Sequence, residues 1–243
     1  MLDRELVSRI QKTVDAQFDE QIAFTCELVK FPSVRGSEQT AQDFVATSLR
    51  KRGYAVDIWA MHVDELKHLP GFSPVTVSYD NALNVVGSHR AKNKQGHSLI
   101  LNGHIDVVPV GPLNMWTTPP FVPRVENGWL YGRGGGDMKA GIAANIYAIE
   151  ALKRCGYTPG ADFHIQSVIE EECTGNGALA CLQRGYRAEA ALIPEPWNNQ
   201  LGRAQIGVLW LQVHVLGKPV HVREAGRGAN AIESAYEIGR AHV

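Results

Sequence analysis

In four places the sequence sets acidic side chains, or an acid and a histidine, where an apolar run ends or a helix begins. Asn102-Gly103-His104-Ile105-Asp106 follows the run Ser98–Leu101. His104 and Asp106 are two apart, so on an extended backbone they point the same way, and a carboxylate there can accept the second N–H of an imidazole that ligates a metal. A structural His–Asp bond fits the same pair. Glu170-Glu171-Glu172 follows Phe163–Ile169, and Glu195 lies in Ile193-Pro194-Glu195-Pro196 after Ala190–Leu192. Three adjacent carboxylates repel one another unless cations or protons compensate. A solvated charge run is the plain reading of that triplet, and a strand-exit turn that of Glu195. Asp137 closes the Gly-rich stretch Gly132-Arg133-Gly134-Gly135-Gly136 at the entry to a helix, where it could equally be an N-cap. That stretch matches neither the dinucleotide nor the P-loop pattern.

Together the four segments favour one chemistry. Hard carboxylates with one imidazole suit zinc, cobalt or manganese at a hydrolytic site. With His104, Asp137, Glu172 and Glu195 as ligands, Glu171 is left beside a ligand but facing elsewhere, as a general base requires.

The elements that must position these residues alternate. The first thirty residues read as a helix ending at Phe31-Pro32. Ser37 can cap a second helix with Phe44, Val45 and Leu49 on one face, closed by Gly53. Tyr54–Trp59 reads as a strand, 62–82 as a long excursion, and Asn84–Gly87 as a short strand. Ser98–Asn102, Phe163–Ile169 and Ala190–Ile193 read as strands buried on both faces. Helices are expected from Met138 to about Arg154 and over Ala178–Arg184. The result is an α/β fold with helices on both faces of the sheet, whose strand C-terminal edge is the usual ligand edge. After Arg203 the pattern changes to an alternating strand Val208–Leu216, a Gly-Lys-Pro turn and a helix Asn230–Arg240. We therefore divide the chain into a metal-binding domain, 1–203, and the beginning of a second domain, 204–243.

Composition narrows the alternatives. The 243 residues carry 24 Lys+Arg against 25 Asp+Glu, a net charge of −1, with 44% hydrophobic residues. No basic footprint for nucleic acid or an anionic membrane exists, and no apolar run reaches the roughly 18 residues of a membrane span. The N-terminus has no signal-peptide pattern, and the four cysteines form no CxxC pair, so a reducing, cytoplasmic setting is expected.

At these residues the chain resembles the zinc-dependent deacylases and exopeptidases that include acetylornithine deacetylase, succinyl-diaminopimelate desuccinylase, aminoacylase and glutamate carboxypeptidase. The strings NGHIDVVPVG, GWLYGRGGGDMKAG, EEECTGNGALA, IPEP and GKPVHV occur in that family's order and spacing across essentially the whole chain. The resemblance implies a three-layer, zinc-exopeptidase-like domain with a mostly parallel sheet, and an inserted ferredoxin-like α+β lid that also forms the dimer. It implies two zinc ions, with Co2+ or Mn2+ as substitutes. Asp137 bridges them, His104 and Glu195 complete one, and Glu172 binds the other. Asp106 orients His104, Glu171 is the general base, and His221 matches a lid histidine that donates to the oxyanion in the partner subunit. A cis peptide is implied at Asp137–Met138. The activity implied is hydrolysis of a small N-acyl amino acid amide, nearest in motif wording to acetylornithine deacetylase. A dipeptidase, a carboxypeptidase or a small-amide deformylase are the alternatives within the family.

One feature of the family has no counterpart. Its last zinc ligand is a histidine beyond the lid, and none of His62, His68, His89, His97, His164, His214 or His242 lies in a matching motif. The second zinc is therefore expected to lack a ligand, and this chain alone to bind one ion better than two and turn over poorly. The rival from another class is an inactive metal-binding or dimerisation fragment. Glu171 argues against it, because such a fragment has no use for a spare carboxylate beside a ligand.

Overall fold

The computed structural model describes residues 3–198, 200–204, 207 and 212–240. Chain contacts divide it into two units, Met1–Gln200 and Leu201–Val243.

The first unit opens with helix α1, Arg4–Val29, whose N-terminus is capped by Asp3 accepting from the Glu5 N–H at 3.0 Å. Helix α2 follows at Gln39–Lys51. The expected Ser37 cap is not used: Glu38 holds the N-cap position, and its carboxylate accepts from the Gly36 N–H. Strand β1 is Ala55–Ala60, and the 62–82 excursion contains one short helix, α3, Val63–Leu66. Strands β2, Leu83–His89, and β3, Leu99–His104, come next. A hairpin of β4, Arg124–Glu126, and β5, Trp129–Tyr131, turns on Asn127-Gly128. Both turn residues have positive φ, the strongest short-range hairpin signal, and the sequence reading passed over it. Helix α4 is Ala140–Arg154, strand β6 Phe163–Val168, helix α5 Asn176–Gln183 and strand β7 Ala190–Leu192.

The five-stranded sheet has the order β1-β2-β6-β3-β7. β2 runs antiparallel to both its neighbours, while β6, β3 and β7 are parallel, so four of five strands point one way. Alternate residues serve opposite faces. Val85, Leu101 and Ile165 pack with Leu28, Leu49, Ile142 and Ile146 of α1, α2 and α4, whereas Val86 and Val168 pack with Cys181 of α5. This gives three layers.

Two expectations about the sheet are corrected. β7 was read as a buried strand, yet all three of its residues are exposed, because it pairs only with β3 and stands at the sheet edge. The helix expected from Met138 begins at Ala140. Asp137 and Met138 have non-helical dihedrals, and the peptide between them is cis.

In the second unit, residues 218 and 229 form an antiparallel bridge around the turn Val222–Arg227, and helix α6 covers Ala231–Arg240. Of the expected strand Val208–Leu216, residues 208–211 lie outside the described residues. Residues 212–216 have no regular structure, having no strand beside them among the described residues to complete a ladder.

Candidate metal centre

The site forms where three parallel strands end together. Register places His104, the last residue of β3, opposite Val168, the last of β6. Glu170–Glu172 therefore emerge beside His104, and Glu195 follows the end of β7 on the other flank. Two glycines permit the approach. A side chain at Gly103 would meet Ile142 at 2.9 Å, and one at Gly141 would lie 2.6 Å from the Pro194 carbonyl oxygen. Gly141 thus lets the segment carrying Glu195 lie on the start of α4, beside the turn carrying Asp137.

His104 is 1% exposed, and the carboxylates of three segments converge on its Nε2. Asp137 Oδ1 lies at 3.0 Å, Glu195 Oε1 at 3.6 Å and Glu171 Oε2 at 3.7 Å. Ligand atoms within 4.8 Å of one another form two groups, His104–Asp137–Glu172 and His104–Glu171–Glu195. Glu171 and Glu172 therefore fall in different groups, both of which contain His104, and distance alone does not divide base from ligand. Asp137 is no N-cap: that position of α4 belongs to Lys139.

The Nδ1 of His104 lies 2.9 Å from the Asp106 carbonyl oxygen and 3.5 Å from its carboxylate. The Asp106 carboxylate accepts from the backbone N–H groups of Glu171 and Glu172, at 3.4 and 3.2 Å. It thus ties the imidazole's strand to the loop that carries two of the acids.

Glu170, in contrast, is withdrawn from the cluster. It is buried, accepts from both Arg35 Nε and Nη2 (the latter at 2.7 Å), and also from the hydroxyls of Tyr79 at 2.7 Å and Thr174 at 2.9 Å. Burial opposes its ionisation, but these donors outweigh it and hold its pKa below the usual carboxylate range. Arg35, Tyr79 and Thr174 were not singled out from sequence. Only the surplus of one acid in the Glu170–Glu172 triplet pointed to a separate role.

The donor set fits a divalent cation. Burial raises Glu195 to about 7, with the charges of Asp137, Glu171 and Glu172 adding to it, and raises Glu171 and Glu172 for the same two reasons. Burial would lower His104, but Asp106, Glu195 and Glu171 outweigh it and push it to about 10. The cluster is short of positive charge, which a metal ion would supply. His221 lies in the second unit, at the start of the Val222–Arg227 turn, where its Nδ1 accepts from the Arg223 N–H at 3.2 Å. Among the described residues no helix is long and apolar enough to cross a membrane.

Comparison with known proteins shows the family of the chain. The family model described as Peptidase family M20/M25/M40 matches residues 100–242. An N-formyl-4-amino-5-aminomethyl-2-methylpyrimidine deformylase of Bacillus subtilis is 29% identical over 252 aligned residues, covering 98% of this chain and 54% of the relative. A succinyl-diaminopimelate desuccinylase of Methylorubrum extorquens is 32% identical over 232, covering 90% of this chain and 56% of the relative. The chain spans about half the length of these curated relatives. A Staphylococcus aureus tripeptidase superposes with a TM-score of 0.59 at 21% identity, over 90% of this chain and 55% of that one, which shows a shared fold.

Proposed function

The chain belongs to peptidase family M20/M25/M40, and from that premise we propose that the whole protein is a metal-dependent amidohydrolase that removes a small acyl group from an N-acylated small molecule. The convergence of Asp137, Glu171 and Glu195 on Nε2 of His104 carries this reading. The sequence expectation was narrower, an N-acetylornithine-type amide. The relatives named above are a deformylase and a desuccinylase, so the reading widens to small acyl amides, with formyl, succinyl and acetyl groups as the test panel.

In the proposed arrangement His104, Asp137, Glu172 and Glu195 would hold the metal, Zn2+ as first choice. A bound divalent ion supplies a Lewis acid that brings the pKa of a water from about 15.7 towards 7 and polarises an amide carbonyl. Glu171 takes the proton of the attacking water and returns it to the departing amine. Asp106 holds His104 and the 171–172 backbone in place. His221 is proposed as a donor to the oxyanion formed in the site of a partner subunit, a charge best stabilised by donors already in position. A homodimer built through the 204–243 segment and a cytoplasmic setting belong to the same proposal.

The test is elemental analysis of metal per chain together with hydrolysis of N-formyl, N-succinyl and N-acetyl amides by the full-length protein. Metal retained in Glu171→Ala while turnover is lost supports the assignment. Absence of metal from the unmodified protein refutes it.

A further inference from the structure

The donor network around Glu170 uses none of the groups assigned to the reaction, yet it joins two of the segments that carry them, the turn after β6 and the chain after β3. Glu170 is the second residue after β6, and its φ of +68° is one that side-chain-bearing residues seldom adopt. That dihedral turns the chain back on itself. The Glu170 carbonyl accepts from the N–H groups of Cys173, Thr174 and Gly175, at 3.4, 2.9 and 2.8 Å. The next two residues are Glu171 and Glu172, whose own N–H groups are taken by Asp106.

Arg35 is held to the other side of the same site. Its segment runs beside the residues after β3: Val34 and Val107 form a parallel bridge, Val107 N–H donates to the Ser33 carbonyl at 3.0 Å, and the Ser33 hydroxyl donates to the Ile105 carbonyl at 2.6 Å. A further guanidinium N–H reaches Thr76 Oγ1 at 2.8 Å. Tyr79, from the same excursion, donates to Glu170 and accepts from Asn176 Nδ2 at 3.1 Å. The 62–82 excursion, which carries no residue assigned to the site, thereby braces the loop that carries Glu171 and Glu172.

We propose that Arg35 and Glu170 are positioning residues: their two-pronged ion pair, buried at Glu170 and partly exposed at Arg35, locks the turn after β6 against the segment after β3, and so sets where Glu171 and Glu172 stand relative to His104. A planar guanidinium can grip both oxygens of one carboxylate, which an ammonium cannot. The inference rests on the metal-centre reading above and adds to it two residues that touch neither metal nor substrate.

The experiment titrates Co2+ into the full-length protein and follows its visible absorption, which reports ligand geometry. The variants are Arg35→Met, Arg35→Lys and the paired Arg35→Met/Glu170→Gln. The pair leaves no buried charge without a partner, so it keeps the test alive if the single variant fails to fold. The expected result is a Co2+ dissociation constant raised 10- to 100-fold, the usual range for groups that orient metal ligands. An altered absorption band should accompany it, with Arg35→Lys between wild type and Arg35→Met and the circular dichroism unchanged. Wild-type affinity and spectrum in a folded Arg35→Met, or in the folded pair, overturn the inference while the metal centre stands. An unmodified protein that takes up no Co2+ overturns both.

Discussion

At the scale of single residues, chemistry divides among neighbours that look alike in sequence. Glu170, Glu171 and Glu172 are consecutive, yet one is buried in an ion pair and the other two enter different ligand groups around His104. Replacing Glu171 with Gln, nearly the same shape but unable to accept a proton from water, should lower kcat by about 10²- to 10⁴-fold. Metal content should stay at the wild-type level; a matching loss of metal would make Glu171 a ligand. His104→Ala should act differently, since His104 belongs to both ligand groups, and should lower the metal content itself. Elemental analysis of the two variants side by side separates the roles.

At the scale of elements, the site depends on backbones that come unusually close. At Gly141 the start of α4 and the Pro194 carbonyl leave no room for a methyl group. Gly141→Ala should cost about 1–3 kcal/mol of stability, read by denaturant unfolding, and should weaken metal binding by displacing Glu195. The start of α2 provides a pH test. Glu38 is 1% exposed, and burial raises its pKa to about 7, with Asp106 and Glu170 adding and the Gly36 N–H opposing. An acid whose folded pKa lies above its unfolded one loses stability as pH rises from about 4.5 to about 7, and levels off above. The difference is about 3 kcal/mol. Glu38→Gln should flatten that fall, so unfolding free energies at pH 5 and pH 8 should lie closer together than in wild type. An equal fall in the variant would assign the pH dependence to another group.

At the scale of the molecule, the metal should behave as part of the fold. Its ligands come from four segments spread between positions 104 and 195, joined otherwise by strand ends and turns. A metal at 100 times its dissociation constant adds about 2.7 kcal/mol to stability, which for a unit of this size is about 5–10 °C in Tm. Calorimetry should show that rise on adding Zn2+ and its loss with a chelator. His104→Ala should show neither. An unchanged Tm in the wild type would mean that the cluster does not hold the ion.

The sequence by itself determined the residue types and which strands carry them. A histidine and two glutamates following apolar runs, and an aspartate after a Gly-rich stretch, are local patterns, and the parallel strands of an α/β sheet must bring the strand ends to one edge. The α1, α2, α4 and β6 segments were likewise legible, because their apolar periodicity is local. Other features depended on partners far along the chain. The Arg35–Glu170 pair joins positions 135 apart, and nothing near Arg35 distinguishes it from a surface arginine. β7 is as apolar as β6, and only the strand order puts one at the sheet edge and the other at the centre. Asp137 looked like a helix cap until its dihedrals showed the helix starting three residues later. Composition and spacing select chemistry because ligands must be of certain types. Burial, pairing and side-chain direction follow from distances in space, which only the packed chain defines.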